Sequence, residues 1–227
     1  AAASGAGLGR DAVVALVLAV AAAVAIKVPE LFGLHLDGGD PAVEFFYVRN
    51  ASLFVLPFLA GFFAWKRGME PVSLARLAAP FVFGALAVNL IPFTRGGYTE
   101  VLAALHLPIA LWFGVGFGYV GGAWRSHDQR MNFVRFSGEW FIYLALIAMG
   151  GGVLVGSTAF VFDAIGIDPE TLIGTWILPC GVMGAVVIAG WLVEAKQSVI
   201  ENMAPVLTLL FTPLFTLLLL AFLGTMA

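Results

Sequence analysis

Charge is the scarcest commodity in this chain: only 11% of its 227 residues are Asp, Glu, Lys or Arg, and 61% are apolar. A soluble domain carries about a quarter charged residues, so a chain this poor in charge has the bilayer as its main solvent. The net charge of −3 and the absence of any basic cluster or recognition signature exclude nucleic acid as a partner. One cysteine, Cys180, cannot close an internal disulfide, and it lies in an apolar run where it reads as a small buried hydrophobe. Catalytic signatures are missing as well. There is no His-Glu-x-x-His, no Gly-x-Ser-x-Gly and no Gly-x-x-x-x-Gly-Lys motif, which removes zinc proteases, hydrolases built on a nucleophile elbow and phosphate-loop enzymes.

What the chain has in abundance is long uncharged stretches. A helix needs about 20 apolar residues to cross the hydrocarbon, and a charge at mid-span is costly, so such stretches can be counted directly. They predict an all-α polytopic transmembrane helix bundle, one domain over residues 1–227, with about seven spans near 11–33, 45–65, 75–94, 101–122, 140–162, 172–194 and 206–227. Ala227 ends the chain while it is still apolar, which leaves room for an eighth span beyond it. A seventh span without lysine excludes a retinal Schiff base.

Lysine and arginine divide unevenly between the two sets of loops. Arg10, Lys66, Arg67, Arg76, Arg125, Arg130, Arg135 and Lys196 fall on one side, against Lys27, Arg49 and Arg95 on the other. Positive loops are retained in the cytoplasm, so the expected N-terminus is cytoplasmic. The opposite loops are acidic. His35, Asp37 and Asp40 lie close together there, but without a calcium-loop pattern they read as a solvated loop and not as a metal site.

Prolines at 57, 80, 92, 108, 179 and 213 each remove one helix hydrogen bond, so several spans are expected to kink. Glycines at four-residue spacing, Gly114, Gly118 and Gly122, predict close helix contact in the fourth span. In the fifth, Gly150, Gly151 and Gly152, with Gly156, are compatible with either packing or local unwinding.

Few polar side chains fall within or beside the spans, and they are the candidate functional residues. His106 is ionisable and sits well inside the fourth span, where a proton relay, a metal or haem ligand, or a neutral histidine hydrogen-bonded between helices are the alternatives. Asn89 in the third span, and Arg49 with Asn50 at the start of the second, complete that set. Glu194 and Glu201 lie near the end of the sixth span with Gln197 and Ser198 on one helical face. They are about 10 Å apart along the axis and read as an interfacial stripe reaching water, or as a functional pair. No catalytic residue, metal ligand or cofactor is assigned.

Three stretches, Tyr47-Val-Arg-Asn-Ala-Ser-Leu-Phe, Phe133-Val-Arg-Phe-Ser-Gly-Glu-Trp and Val193-Glu-Ala-Lys-Gln-Ser-Val-Ile-Glu-Asn-Met-Ala-Pro, resemble a family of uncharacterised bacterial multi-span integral membrane proteins with a domain of unknown function. The likeness covers most of the chain from about Pro41. It implies a bacterial inner membrane and no particular activity. The favoured expectation is a permease-like protein that moves a small solute or ion through a cavity between kinked helices, with His106 and Asn89 lining it. The alternative is a non-enzymatic signalling or assembly subunit of a membrane complex. Expected partners are the lipid bilayer and, in the second case, other membrane subunits or a second copy.

Overall fold

The computed structural model describes residues 2–36, 39–94, 96–164, 168–198 and 203–226; the side chains of 2–8, 164, 196–198, 203–211, 221, 225 and 226 are not included. No strand occurs among them. The chain runs through α1 (Ala2–Ala25), a 3-10 turn (Val28–Phe32), α2 (Pro41–Lys66), α3 (Pro71–Leu90), α4 (Tyr98–Tyr119), α5 (His127–Ala164), the short α6 (Glu170–Leu172), a π-turn (Ile173–Ile177), α7 (Leu178–Ser198) and α8 (Met203–Met226). Six of the helical segments described are long and apolar enough to cross a membrane, α6 to α7 counting as one. The seventh expected span corresponds to α8, whose apolar part 212–224 is shorter within the residues searched.

The first helix stops earlier than its apolar run. After Ala25 the backbone tightens into the 3-10 turn, which carries the chain past Lys27 to a left-handed Gly33. Helix α2 begins on Asp40, whose Oδ1 accepts from the Ala42 N–H at 2.8 Å, so this acidic loop residue is a helix cap. Pro57, Pro80 and Pro108 are accommodated inside α2, α3 and α4. Helix α5 is continuous through Gly150–Gly152, so that segment is not unwound. At 1.5 Å per residue its 38 residues extend about 57 Å, well beyond a hydrocarbon core of about 30 Å. The predicted span 140–162 is therefore the membrane part of a longer helix that begins at His127.

Helix α2 is the centre of the bundle and touches α1, α3, α4 and α7. Leu59, Phe62 and Phe63 are fully buried on it, facing Leu111 and Val115 of α4, Phe136 of α5 and Val187 and Val193 of α7 within one core. Its buried residues lie on several sides because four helices pack around it, while Val48 and Trp65 remain exposed. The outer surfaces of the other helices are apolar too, with Phe83, Leu90, Phe141, Met149 and Phe160 exposed, whereas Glu100, Glu194, Asn50 and Ser52 are buried. That inversion of the soluble pattern is what a lipid solvent produces, and the chain is that of an integral membrane protein.

Small residues set the helix spacing on α4. A Cβ on Gly116 would lie 2.7 Å from the Phe133 ring, on Gly118 3.2 Å from the Ala60 carbonyl, and on Gly114 3.3 Å from the Phe81 ring. Gly118 and Gly114 thus pack as their spacing predicts. Gly151, Gly152 and Gly156 have nothing within 4 Å, so the same spacing on α5 makes no close contact among the described residues.

Candidate functional site: a charged cleft at one end of the bundle

Helix α2 ends on Lys66, Arg67 is its C-cap, and Gly68 takes the left-handed conformation (φ +60°) that turns the chain away. This brings both cations to the end of the bundle where α1 and α5 begin and where α4 and α7 finish. Arg67 grips Glu194 of α7 with two parallel bonds, Nη2 to Oε1 at 2.9 Å and Nη1 to Oε2 at 3.2 Å. Lys66 Nζ lies 3.3 Å from Glu194 Oε2 and donates to Asp11 Oδ2 of α1 at 2.9 Å. Arg67 Nε donates to the Tyr119 carbonyl at 2.9 Å, and its guanidinium sits 5.2 Å from the centre of the Tyr119 ring.

That carbonyl is available for a physical reason. Tyr119 is the last residue of α4, and the last carbonyls of a helix have no partner within it. Gly121 and Gly122, both at positive φ, fold back to satisfy Gly118 and Phe117, which leaves Tyr119 for Arg67. Glu194 is only 5% exposed, so its charge is tolerable only because two cations converge on it. Asp11, Lys66, Arg67 and Glu194 sum to zero charge and tie α1, α2 and α7 together, with Arg67 extending the tie to α4.

The outer side of Arg67 lines a cleft of about 710 Å³. Its floor is Tyr119, Val120 and Ala123 at the end of α4. Its far wall is one face of the first turns of α5, carrying Gln129, Asn132, Arg135 and Glu139. Arg135 Nε and Glu139 Oε1 stand 3.5 Å apart, a loose pair in which Arg135 is largely exposed. Arg67 commits three of its five N–H groups to Glu194 and Tyr119; the other two have no partner among the described residues.

Below the floor the bundle is closed by aromatic rings. Tyr119 stacks on Phe136 at 4.6 Å, Phe63 meets both edge-on at 5.3 and 5.1 Å, and Trp112 lies 4.4 Å from Trp140. Trp112 Nε1 donates to Ser137 and Trp140 Nε1 to the Val186 carbonyl, so the polar edges of the plug are satisfied.

The opposite end is held by a second polar set. Arg49 Nη1 binds Glu100 Oε1 at 3.0 Å, and Glu100 Oε2 accepts from the Gly96 N–H. Asn50 and Asn89 exchange amide bonds at 2.8 and 3.1 Å while each also donates to its own helix. One turn of α2 therefore fastens both α3 and α4. On the α1 side Lys27 pairs with Glu30, lies over the Trp176 ring and donates to the Thr175 carbonyl at 2.8 Å. Pro179 has no N–H to return to that carbonyl, and the helix there shifts register into the π-turn.

Of the sequence-predicted residues, Arg49, Asn50 and Asn89 thus come together as a helix clamp. His106 stands apart from them. It is exposed on the outer face of α4, its Nδ1–H donating to the Leu102 carbonyl at 2.8 Å, and it does not line the Arg67 cleft. Glu194 corrects the expectation of a water-reaching stripe: it is buried among cations because the end of α7 packs against α2. Glu201 lies outside the described residues. Sequence reasoning missed Asp11, Lys66, Arg67, Tyr119 and Glu100 as site residues. Lys66 and Arg67 were legible only as loop charge, and nothing in the spacing pairs them with a glutamate 127 residues away. No family model matches this chain, nor does any curated protein or solved structure.

Proposed function

We propose that this membrane protein is a permease for a small solute, with the Arg67 cleft as its vestibule and the Tyr119–Phe136 rings as its closed gate. One observation carries the reading: among the described residues a polar, charged recess lined by Arg67, Tyr119 and the first turns of α5 lies over the Tyr119–Phe136 ring stack. A recess of about 710 Å³ falls within the usual range of small-molecule sites. The vestibule side carries eight of the eleven lysines and arginines, which supports a cytoplasmic vestibule and N-terminus, and the family likeness supports a bacterial inner membrane. Neither His106 nor Asn89 is part of this pathway.

A signalling or assembly subunit is the second reading, favoured by the filled interior of the bundle and by the apolar, open outer half of α5. Spin labels at Met69→Cys and Arg130→Cys, in a Cys180→Ser background, separate the two. A permease opens and closes its vestibule, so the distance distribution in nanodiscs has two populations. A single narrow population under all conditions favours the static subunit.

A further inference from the structure

The cleft offers more than positive charge. At one side stands Arg67, held by Glu194 and the Tyr119 carbonyl, with two N–H groups that no described residue uses. On the facing wall Arg135 and Glu139 form an ion pair stretched to 3.5 Å, with Arg135 largely exposed, and Gln129 and Asn132 add amide groups on the same face of α5. A plain anion would use the guanidiniums and leave the Glu139 carboxylate facing it unfavourably. A plain cation would meet two guanidiniums. A ligand carrying both charges uses the whole set: an oxyanion bridges Arg67 and Arg135, drawing Arg135 from its loose pair, and an ammonium replaces Arg135 at Glu139.

The number of donors selects the oxyanion. The two remaining N–H groups of Arg67, those of Arg135 and two carboxamides outnumber what the two planar oxygens of a carboxylate accept in good geometry, whereas a tetrahedral phosphodiester adds ester oxygens to its two non-bridging ones and offers acceptors in more directions. We propose that the Arg67 cleft binds a phosphate zwitterion with a primary ammonium, the phosphoethanolamine chemistry shared by a lipid headgroup and a free phosphodiester. As a substrate class this rests on the permease reading; as a binding site it does not.

The test uses the full chain. Purified in a detergent free of phosphate, it is titrated with glycerophosphoethanolamine, glycerophosphocholine and inorganic phosphate, with binding read by calorimetry. Glycerophosphoethanolamine is expected to bind at least about tenfold more tightly than either other probe, because each lost charge-assisted hydrogen bond costs about that factor. Glu139→Gln removes that preference while leaving phosphate binding. Arg135→Gln, at an exposed position that the fold does not depend on, weakens every phosphate probe. Equal affinity for the ethanolamine and choline probes, or an unchanged preference in Glu139→Gln, overturns the proposal, and so does absence of binding in both detergent and nanodiscs.

Nanodiscs distinguish the source. If phosphatidylethanolamine but not phosphatidylcholine nanodiscs abolish the soluble titration, the ligand is the lipid; if both leave it intact, the ligand is the soluble ester. Zwitterion binding together with a single spin-label population retains the site and removes the permease, whereas two populations without binding do the reverse.

Discussion

Arg67 at the end of α2 and Glu194 at the end of α7 face each other through two bonds of 2.9 and 3.2 Å, although 127 residues separate them. Glu194 is also the point where Lys66, and through it Asp11, joins the network. The four groups are interdependent, since removing one carboxylate leaves two cations facing each other. Glu194→Gln is therefore expected to cost about 3 kcal/mol or more, the range for breaking a buried pair. Arg67→Gln in the same chain should add little to that loss. Unfolding in mixed detergent micelles measures both, and additive losses would show that the pair does not act as a unit.

The reciprocal amide pair of Asn50 and Asn89 is expected to be coupled by about 0.6 to 1.7 kcal/mol, as interhelical hydrogen bonds in membranes are. A double-mutant cycle with Asn50→Ala and Asn89→Ala measures it. Zero coupling would mean that each amide is satisfied by its own helix carbonyl alone.

Lys27 and Pro179 form an unusual partnership. The proline withholds a donor from the Thr175 carbonyl, and the lysine supplies one from α1. Lys27→Met is expected to destabilise by about 2 kcal/mol, since it also strips Glu30 of its cation. In a Pro179→Ala background, where the helix can bond itself, the same substitution should cost less. An equal cost in both backgrounds contradicts the link between the two residues.

Glycines on α4 and α5 differ sharply in what surrounds them. Gly116→Ala drives a Cβ to within 2.7 Å of the Phe133 ring, which the aromatic cluster holds in place, so a loss of about 1 to 3 kcal/mol is expected. Gly152→Ala enters open space inside a helix and should be neutral or stabilising by about 0.5 to 1 kcal/mol. Thermal unfolding of the two single variants checks this, and the reverse order would place the tight contact on α5.

The spans were legible in the sequence because the bilayer acts on each stretch separately: an uncharged run such as 140–162 has to be a membrane helix whatever surrounds it. The same logic cannot see where α5 begins, since the stalk from His127 to Glu139 is polar and is helical through continuity and through the burial of Phe133 and Phe136. Gly114 and Gly118 were read correctly as contacts, and Gly152 with Gly156 shows that spacing alone does not supply a partner. The charged end was read least well. Glu194 resembled an interfacial residue because polar residues follow it in sequence, while its ion-pair partners, Lys66 and Arg67, come from the end of α2. Ion pairing across a bundle is a property of topology, and no local pattern encodes it.

The proposed gate can be probed at Val115, one turn below Tyr119 on α4 and fully buried. Val115→Cys in a Cys180→Ser background is a small truncation that adds no bulk to the core and leaves no other thiol in the chain. A membrane-impermeant maleimide applied to inside-out and right-side-out vesicles reports which face reaches that position. A permease that cycles predicts labelling from the Arg67 side with the vestibule open, and from the opposite side when the cycle turns over. A thiol that stays unlabelled from both faces, while Ala123→Cys in the cleft labels readily, would contradict transport through this bundle.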